Sequence, residues 1–213
     1  MGALELRRRI LLDSTPSISY IPLQYIGTIS GTHPYIDMGI ALTAELEFEI
    51  RCYNTKKEVF VYGARKNVGA APYNNINFLA DQDKLRLDYG NGRGDSKLVN
   101  GKTGEMLLTF KDRIFTVTNF TTDIITNQNY SGNSFIAYPE QTMALFAAYT
   151  NSVPSLGGGN GVFNIYYAKF WLGSRLVRDF IPCLYNGVAG MYDKVSKRFF
   201  ASKNDDTFTP GPQ

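Results

Sequence analysis

Glu45, Glu47 and Glu49 stand at every second position of Glu45-Leu46-Glu47-Phe48-Glu49-Ile50. A β-strand repeats its side-chain direction every two residues, so this spacing puts three carboxylates on one face and Leu46, Phe48 and Ile50 on the other. Two carboxyls facing one bond are the equipment of glycoside hydrolysis, one as nucleophile and one as acid, about 5 Å apart in retaining enzymes. Glu45 and Glu49 would lie about 13 Å apart along a plain strand, so they could serve only if the side chains leaned together or the strand bulged. The competing reading is the solvated face of a half-buried strand.

Sugar binding asks for aromatic rings and planar polar groups on connecting loops, where a rigid scaffold supports variable segments. Tyr73, Asn74, Asn75, Tyr89, Asn91, Arg93, Asp95 and Tyr130 have suitable types and form the candidate carbohydrate set, led by Tyr73, Asn74, Tyr89, Asn91, Arg93 and Asp95. Tyrosine is also ordinary strand composition. Arg93-Gly94-Asp95-Ser96 spells an integrin-recognition tetrapeptide, but Asn91 to Asp95 is equally what a long turn needs. Asp81, Asp83 and Asp95 have oxygen ligands suited to calcium without a spacing that singles out a site, so no cofactor or metal is expected.

The lone His33 precedes Pro34 at a strand start and reads as a turn residue. With one histidine and two distant cysteines, Cys52 and Cys183, zinc sites of ordinary spacing are excluded, and both thiols are expected buried and free. Leu156 to Gly161 is glycine-rich but lacks the Lys-Ser/Thr ending of a phosphate loop, which leaves a strand connection.

These residues need elements to position them, and from Tyr20 onward the periodicity is two. Runs such as Val59–Gly63, Ile76–Leu79, Lys84–Tyr89, Met106–Phe110, Arg113–Asn119 and Met143–Ala148 read as strands between Gly, Asn, Asp and Pro, with Lys111-Asp112 as a hairpin turn. A dozen or more strands are most economically buried as two stacked antiparallel sheets. With 213 residues, 44% of them hydrophobic, one domain spanning 20–213 is expected. Ahead of it, residues 1–19 form a basic helix or arm in which Leu4, Leu6 and Ile10 accompany Arg7, Arg8 and Arg9, a segment suited to anchoring on a partner.

A net charge of +3 with dispersed basic residues does not select nucleic acid as primary ligand. No apolar run approaches the roughly 18 residues of a membrane span. The opening MGALELRRRILLDS has neither the long apolar core nor the cleavage site of a secretory signal.

The C-terminal stretch IYYAKFWLGSRLVRDFIPCLYNGVAGMYDKVSKRFFASKNDDTFTPG resembles the closing motif of laminin G-like, concanavalin A-like domains found in tailed-phage structural proteins and gut-bacterial proteins. Leu23 to Ile26 and Tyr35-Ile36-Asp37-Met38-Gly39 are similar to the family's opening strand with its "YIDTG" phrase, and Leu85 to Gly90 to its central strand. Met191-Tyr192-Asp193 with Lys197 to Phe200 resembles its "GLYD…GKFY" hairpin. The resemblance implies an all-β, two-sheet antiparallel jelly-roll sandwich. It also implies a non-enzymatic virion component, a capsid decoration or a tail or fibre protein made in the host cytoplasm. Such a component would be present in several copies, dock on other virion proteins through the arm and meet host-surface glycans. Laminarinase-type hydrolases share this fold and carry an E-x-D-x-E strand, which the 45–49 triplet resembles with Glu at the centre, so a glycanase using Glu45 and Glu49 is the alternative. A free-standing bacterial lectin is the third reading. One charge of the Arg178-Asp179 pair must point inward, and whichever does requires a hydrogen-bonded partner.

Overall fold

Alternating burial runs through the strands of the computed structural model, which describes residues 19–29, 31–54, 59–66, 74–81, 84–91, 98–100, 103–155 and 162–213. The anchoring residues Leu4, Leu6, Arg7, Arg8, Arg9 and Ile10 lie outside this set. The described residues contain strands and turns and no helix, in two sheets packed face to face.

The first sheet contains β1 (Ile21–Pro22), β2 (Ile26–Gly27), β4 (Leu46–Asn54), β9 (Gly104–Lys111), β10 (Ile114–Asn119), β11 (Ile124–Asn129), β15 (Phe163–Leu172), β16 (Arg175–Tyr185), β17 (Val188–Asp193), β18 (Arg198–Phe200) and β19 (Thr209–Pro210). Its order is β11-β10-β9-β4-β15-β16-β17-β18, with β1 on β16 and β2 between β15 and β19. The second sheet contains β3 (Ile36–Leu42), β5 (Val59–Lys66), β6 (Asn74–Asp81), β7 (Lys84–Gly90), β8 (Leu98–Asn100), β12 (Tyr138–Leu145), β13 (Ala148–Thr150) and β14 (Val153–Ser155). Its order is β14-β13-β5-β6-β7-β8, with β12 joining β3 to β5. Neighbouring strands run antiparallel apart from the parallel β13–β5 pair.

Aromatic rings from both sheets meet in the core. Phe48 of β4 lies 4.6 Å from Tyr62 of β5 and 5.7 Å, stacked, from Phe110 of β9. Tyr89 of β7 lies 5.0 Å from Phe110. Each fully buried ring or aliphatic side chain of this kind stabilises the fold by about 1.5–3 kcal/mol. Cys52 and Cys183 are buried free thiols.

Arg178 is the inward charge of its pair, since it stands opposite Phe170 across β15 and β16. Its Nε donates to the Met38 carbonyl of β3 at 2.9 Å and its Nη1 to the Val177 carbonyl at 2.7 Å, which ties the two sheets together. The same Nε is 3.8 Å from Oδ2 of Asp193, a fully buried carboxylate. Asp193 accepts four hydrogen bonds, from the backbone N–H groups of Asp179, Val195 and Ser196 and from the Ser196 hydroxyl. The C-terminal segment closes over the start of the domain. The His33 N–H donates to Asp206 and the Lys203 N–H to the Tyr35 carbonyl, so His33 sits in the irregular segment ahead of β3 with its backbone tied to the C-terminal segment.

The turn between β9 and β10 falls one residue later than the sequence suggests. Asp112 and Arg113 occupy it, both left-handed at φ 51° and 60°, the paired geometry that matches the twist of a two-residue hairpin.

Candidate functional site

β4 runs through the middle of the first sheet, and its solvent face carries Glu47 and Glu49. Register fixes their neighbours: Trp171 of β15 stands beside Glu47, while Lys169 of β15 and Thr109 of β9 flank Glu49. Two hairpin turns border the start of β4, Asp112–Arg113 on one side and Gly173–Ser174 on the other. The Gly173 N–H donates to the Glu45 carbonyl at 2.9 Å, and the Asp112 N–H donates to Glu47 Oε1 at 3.2 Å. Both turns are therefore fastened to the strand between them. The result is a groove of about 810 Å³ lined by Glu47, Glu49, Thr109, Lys111, Asp112 and Trp171, with Phe48, Phe110, Gly173 and Ser174 completing it. That volume is in the range of ordinary ligand sites.

The polar groups are held in place. Lys169 Nζ lies 3.8 Å from Glu49 Oε1 and 5.3 Å from the ring centre of Tyr167. Burial, and then the negative charge of hydrogen-bonded Glu49, pushes the Tyr167 phenol up to about 12, so it stays a protonated donor at neutral pH. The groove thus offers a large indole face, carboxylate and hydroxyl acceptors, and an ammonium donor at Lys111. An aromatic surface with fixed polar groups around it suits a sugar ring, whose C–H face is apolar and whose rim is hydroxyl.

No family model matches the chain, and no curated protein matches it.

Glu45 does not belong with the other two glutamates. It sits in the exposed turn before β4, because the chain enters the strand only at Leu46, and it is not part of the groove lining. Of the Glu45/Glu49 pair only Glu49 lies in the groove, which it shares with Glu47, two residues away on the same face. Tyr89 is a core residue: fully buried, its ring packs on Phe110 and its hydroxyl donates to the Ala44 carbonyl at 3.1 Å, so it offers no face to a sugar. Tyr130 is likewise buried, donating to the Leu87 carbonyl at 2.8 Å. Asn91 is exposed, but its Oδ1 accepts the Ser134 N–H and its own N–H donates to the Ser134 carbonyl, which closes a loop.

Tyr73, Arg93, Asp95 and Asp83 lie outside the described residues, as do the side chains of Asn74 and Asp81 at the two ends of β6. Among the described residues no three His, Cys, Asp or Glu side chains are placed to hold a metal ion. Trp171 is the residue that sequence reasoning missed. Its available signal was the alternation of β15, which sets Ala168 and Phe170 inward and Lys169 and Trp171 outward.

Proposed function

We propose that this chain is a non-enzymatic attachment module of the laminin G-like, concanavalin A-like type that holds a glycan in the groove over β4. The observation that carries the reading is the placement of Trp171 beside Glu47 between two fastened hairpins, an aromatic wall with fixed hydrogen-bonding groups. The sandwich of two sheets is compatible with a jelly roll. The likeness of the C-terminal stretch to tailed-phage structural proteins supports a virion setting, as capsid decoration or as part of a tail or fibre, with the 1–19 arm docking on neighbouring virion proteins and several copies facing host glycans.

The test is a glycan array on the purified chain followed by titration of the best ligand. Trp171→Ala is expected to weaken binding at least about tenfold, the loss of roughly 1.4 kcal/mol, with folding intact. Wild-type protein that retains no glycan, or a variant that binds as well as wild type, refutes the assignment.

A hydrolytic reading is favoured by one observation, that Glu47 and Glu49 share the groove. Glu47→Gln and Glu49→Gln separate the readings by reducing-end release from β-glucan: a hydrolase loses its activity in one or both variants, and an attachment module releases nothing in any of them.

A further inference from the structure

The solvent face of β4 continues past the groove as Arg51 and Tyr53, and β15 carries Lys169, Tyr167 and Tyr166 beside them. The two tyrosines are adjacent in sequence yet both reach the surface, because Ile165 pairs with Cys52 and Tyr167 with Arg51, leaving Tyr166 as an extra, bulged residue. Bulges re-aim side chains in this way at functional positions. Arg51 is pinned at the centre: Nε donates to Glu105 at 2.7 Å, and the guanidinium lies 5.5 Å from the Phe120 ring centre and 5.8 Å from that of Tyr166. Phe120 and Tyr53 remain exposed around it. From the level of Trp171 to the level of Tyr53 is six residues of β4, about 20 Å of strand.

We infer that this second aromatic platform and the Trp171 groove form one binding track, and that its ligand is an elongated, uncharged polysaccharide lying along β4 and β15. The inference rests on the glycan-holding reading of the groove. Length follows from the separation of the two platforms, which no monosaccharide spans, with Tyr167 between them. Exclusion of a polyanion follows from charge: the three cations Arg51, Lys111 and Lys169 face the four carboxylates of Glu47, Glu49, Glu105 and Asp112, with Arg51 paired to Glu105 and Lys169 to Glu49. A polyanion would find no surplus of cations along the track.

The experiment is calorimetric titration of the full chain with cello- and laminari-oligosaccharides from dimer to octamer. Wild type is expected to gain about tenfold or more in affinity with increasing length before reaching a plateau. A Tyr53→Ala/Tyr166→Leu variant is expected to lose that gain while holding the short oligomers as wild type does. Trp171→Ala should weaken short and long oligomers together. Equal affinity for all lengths, or a double variant that weakens short and long oligomers alike, overturns the track and leaves the groove standing. Binding confined to sulfated or uronic-acid glycans also overturns the track alone, whereas no binding of any glycan overturns both readings.

Discussion

Removing the Asp193 carboxylate should cost this protein a large share of its stability. Asp193 Oδ1 accepts the N–H groups of Asp179 at 2.8 Å and Val195 at 3.1 Å, and Oδ2 accepts the N–H and hydroxyl of Ser196 at 3.1 and 2.6 Å. Val195 and Ser196 lie on an exposed turn, so in Asp193→Ala water can take over their donors. The Asp179 N–H is part-buried and has no such relief, whereas the Arg178 side chain is 20% exposed and keeps the Met38 and Val177 carbonyls as partners. A stranded buried N–H costs about 1–3 kcal/mol, and loss of the 3.8 Å contact to a partly exposed guanidinium adds less than rupture of a fully buried pair. About 2–4 kcal/mol is therefore expected for Asp193→Ala against a total of roughly 5–15 kcal/mol for a domain. Arg178→Met should cost less, because Asp193 keeps its four hydrogen bonds and the lost links are those to Met38, Val177 and the carboxylate. Urea unfolding followed by tryptophan fluorescence measures both, with Trp171 as the single reporter. A loss under about 1 kcal/mol for Asp193→Ala, or a larger loss for Arg178→Met, would refute the view that this carboxylate anchors the β16–β17 hairpin.

Gly90 and Gly173 both have left-handed backbones, φ +63° and +57°, but a Cβ at Gly90 would sit 2.1 Å from the Ser134 carbonyl oxygen while one at Gly173 meets open space. Gly173→Ala should therefore cost about 1–2 kcal/mol and Gly90→Ala distinctly more, read as urea midpoints; equal losses would mean the loop at Ser134 yields freely. Burial raises the thiol of Cys183 from its ordinary 9.0 to about 11 and that of Cys52 further still. The folded state keeps both protonated, so their stabilising contribution is complete below about pH 9. Above that the unfolded chain ionises first, and stability falls by about 1.4 kcal/mol per pH unit for each thiol until the pH passes the folded value. A urea midpoint that holds steady from pH 8 to about 10.5 would contradict this.

Much of the scaffold was legible because single strands announce themselves locally. Leu46, Phe48 and Ile50 do face the core, and the aromatic run from Phe163 to Leu172 is a central strand followed by a hairpin at Gly173. The same rule, applied further, would have removed Tyr89 from the sugar-binding set, since Leu85, Leu87 and Tyr89 share one side of β7 and all three are buried. Where β4 begins was not legible: nothing in Thr43-Ala44-Glu45 separates a turn from another strand residue, and that single boundary decides whether Glu45 joins the site. The groove was less accessible still. It depends on Phe48 standing opposite Phe110 and Glu47 beside Trp171, pairings between residues far apart in sequence whose register only the folded sheets determine.

The same register bears on whether the glutamates cut or hold. A glycoside hydrolase needs one carboxyl that carries a proton at the working pH, which active sites achieve by enclosing it in apolar surroundings, and a second free to attack the sugar. Glu47 is bound by the Asp112 N–H and stands between Trp171 and the β9 end at Lys111, while Glu49 contacts Lys169 and receives the Tyr167 hydroxyl. Swinging either toward a glycosidic oxygen would break those contacts and loosen the hairpin that Glu47 fastens. On the proposed attachment reading, carboxylates fixed in this way would be rigid acceptors for ring hydroxyls beside an indole face, with little conformational entropy left to lose when a sugar settles there. The arrangement therefore fits the proposed attachment reading better than the hydrolytic one.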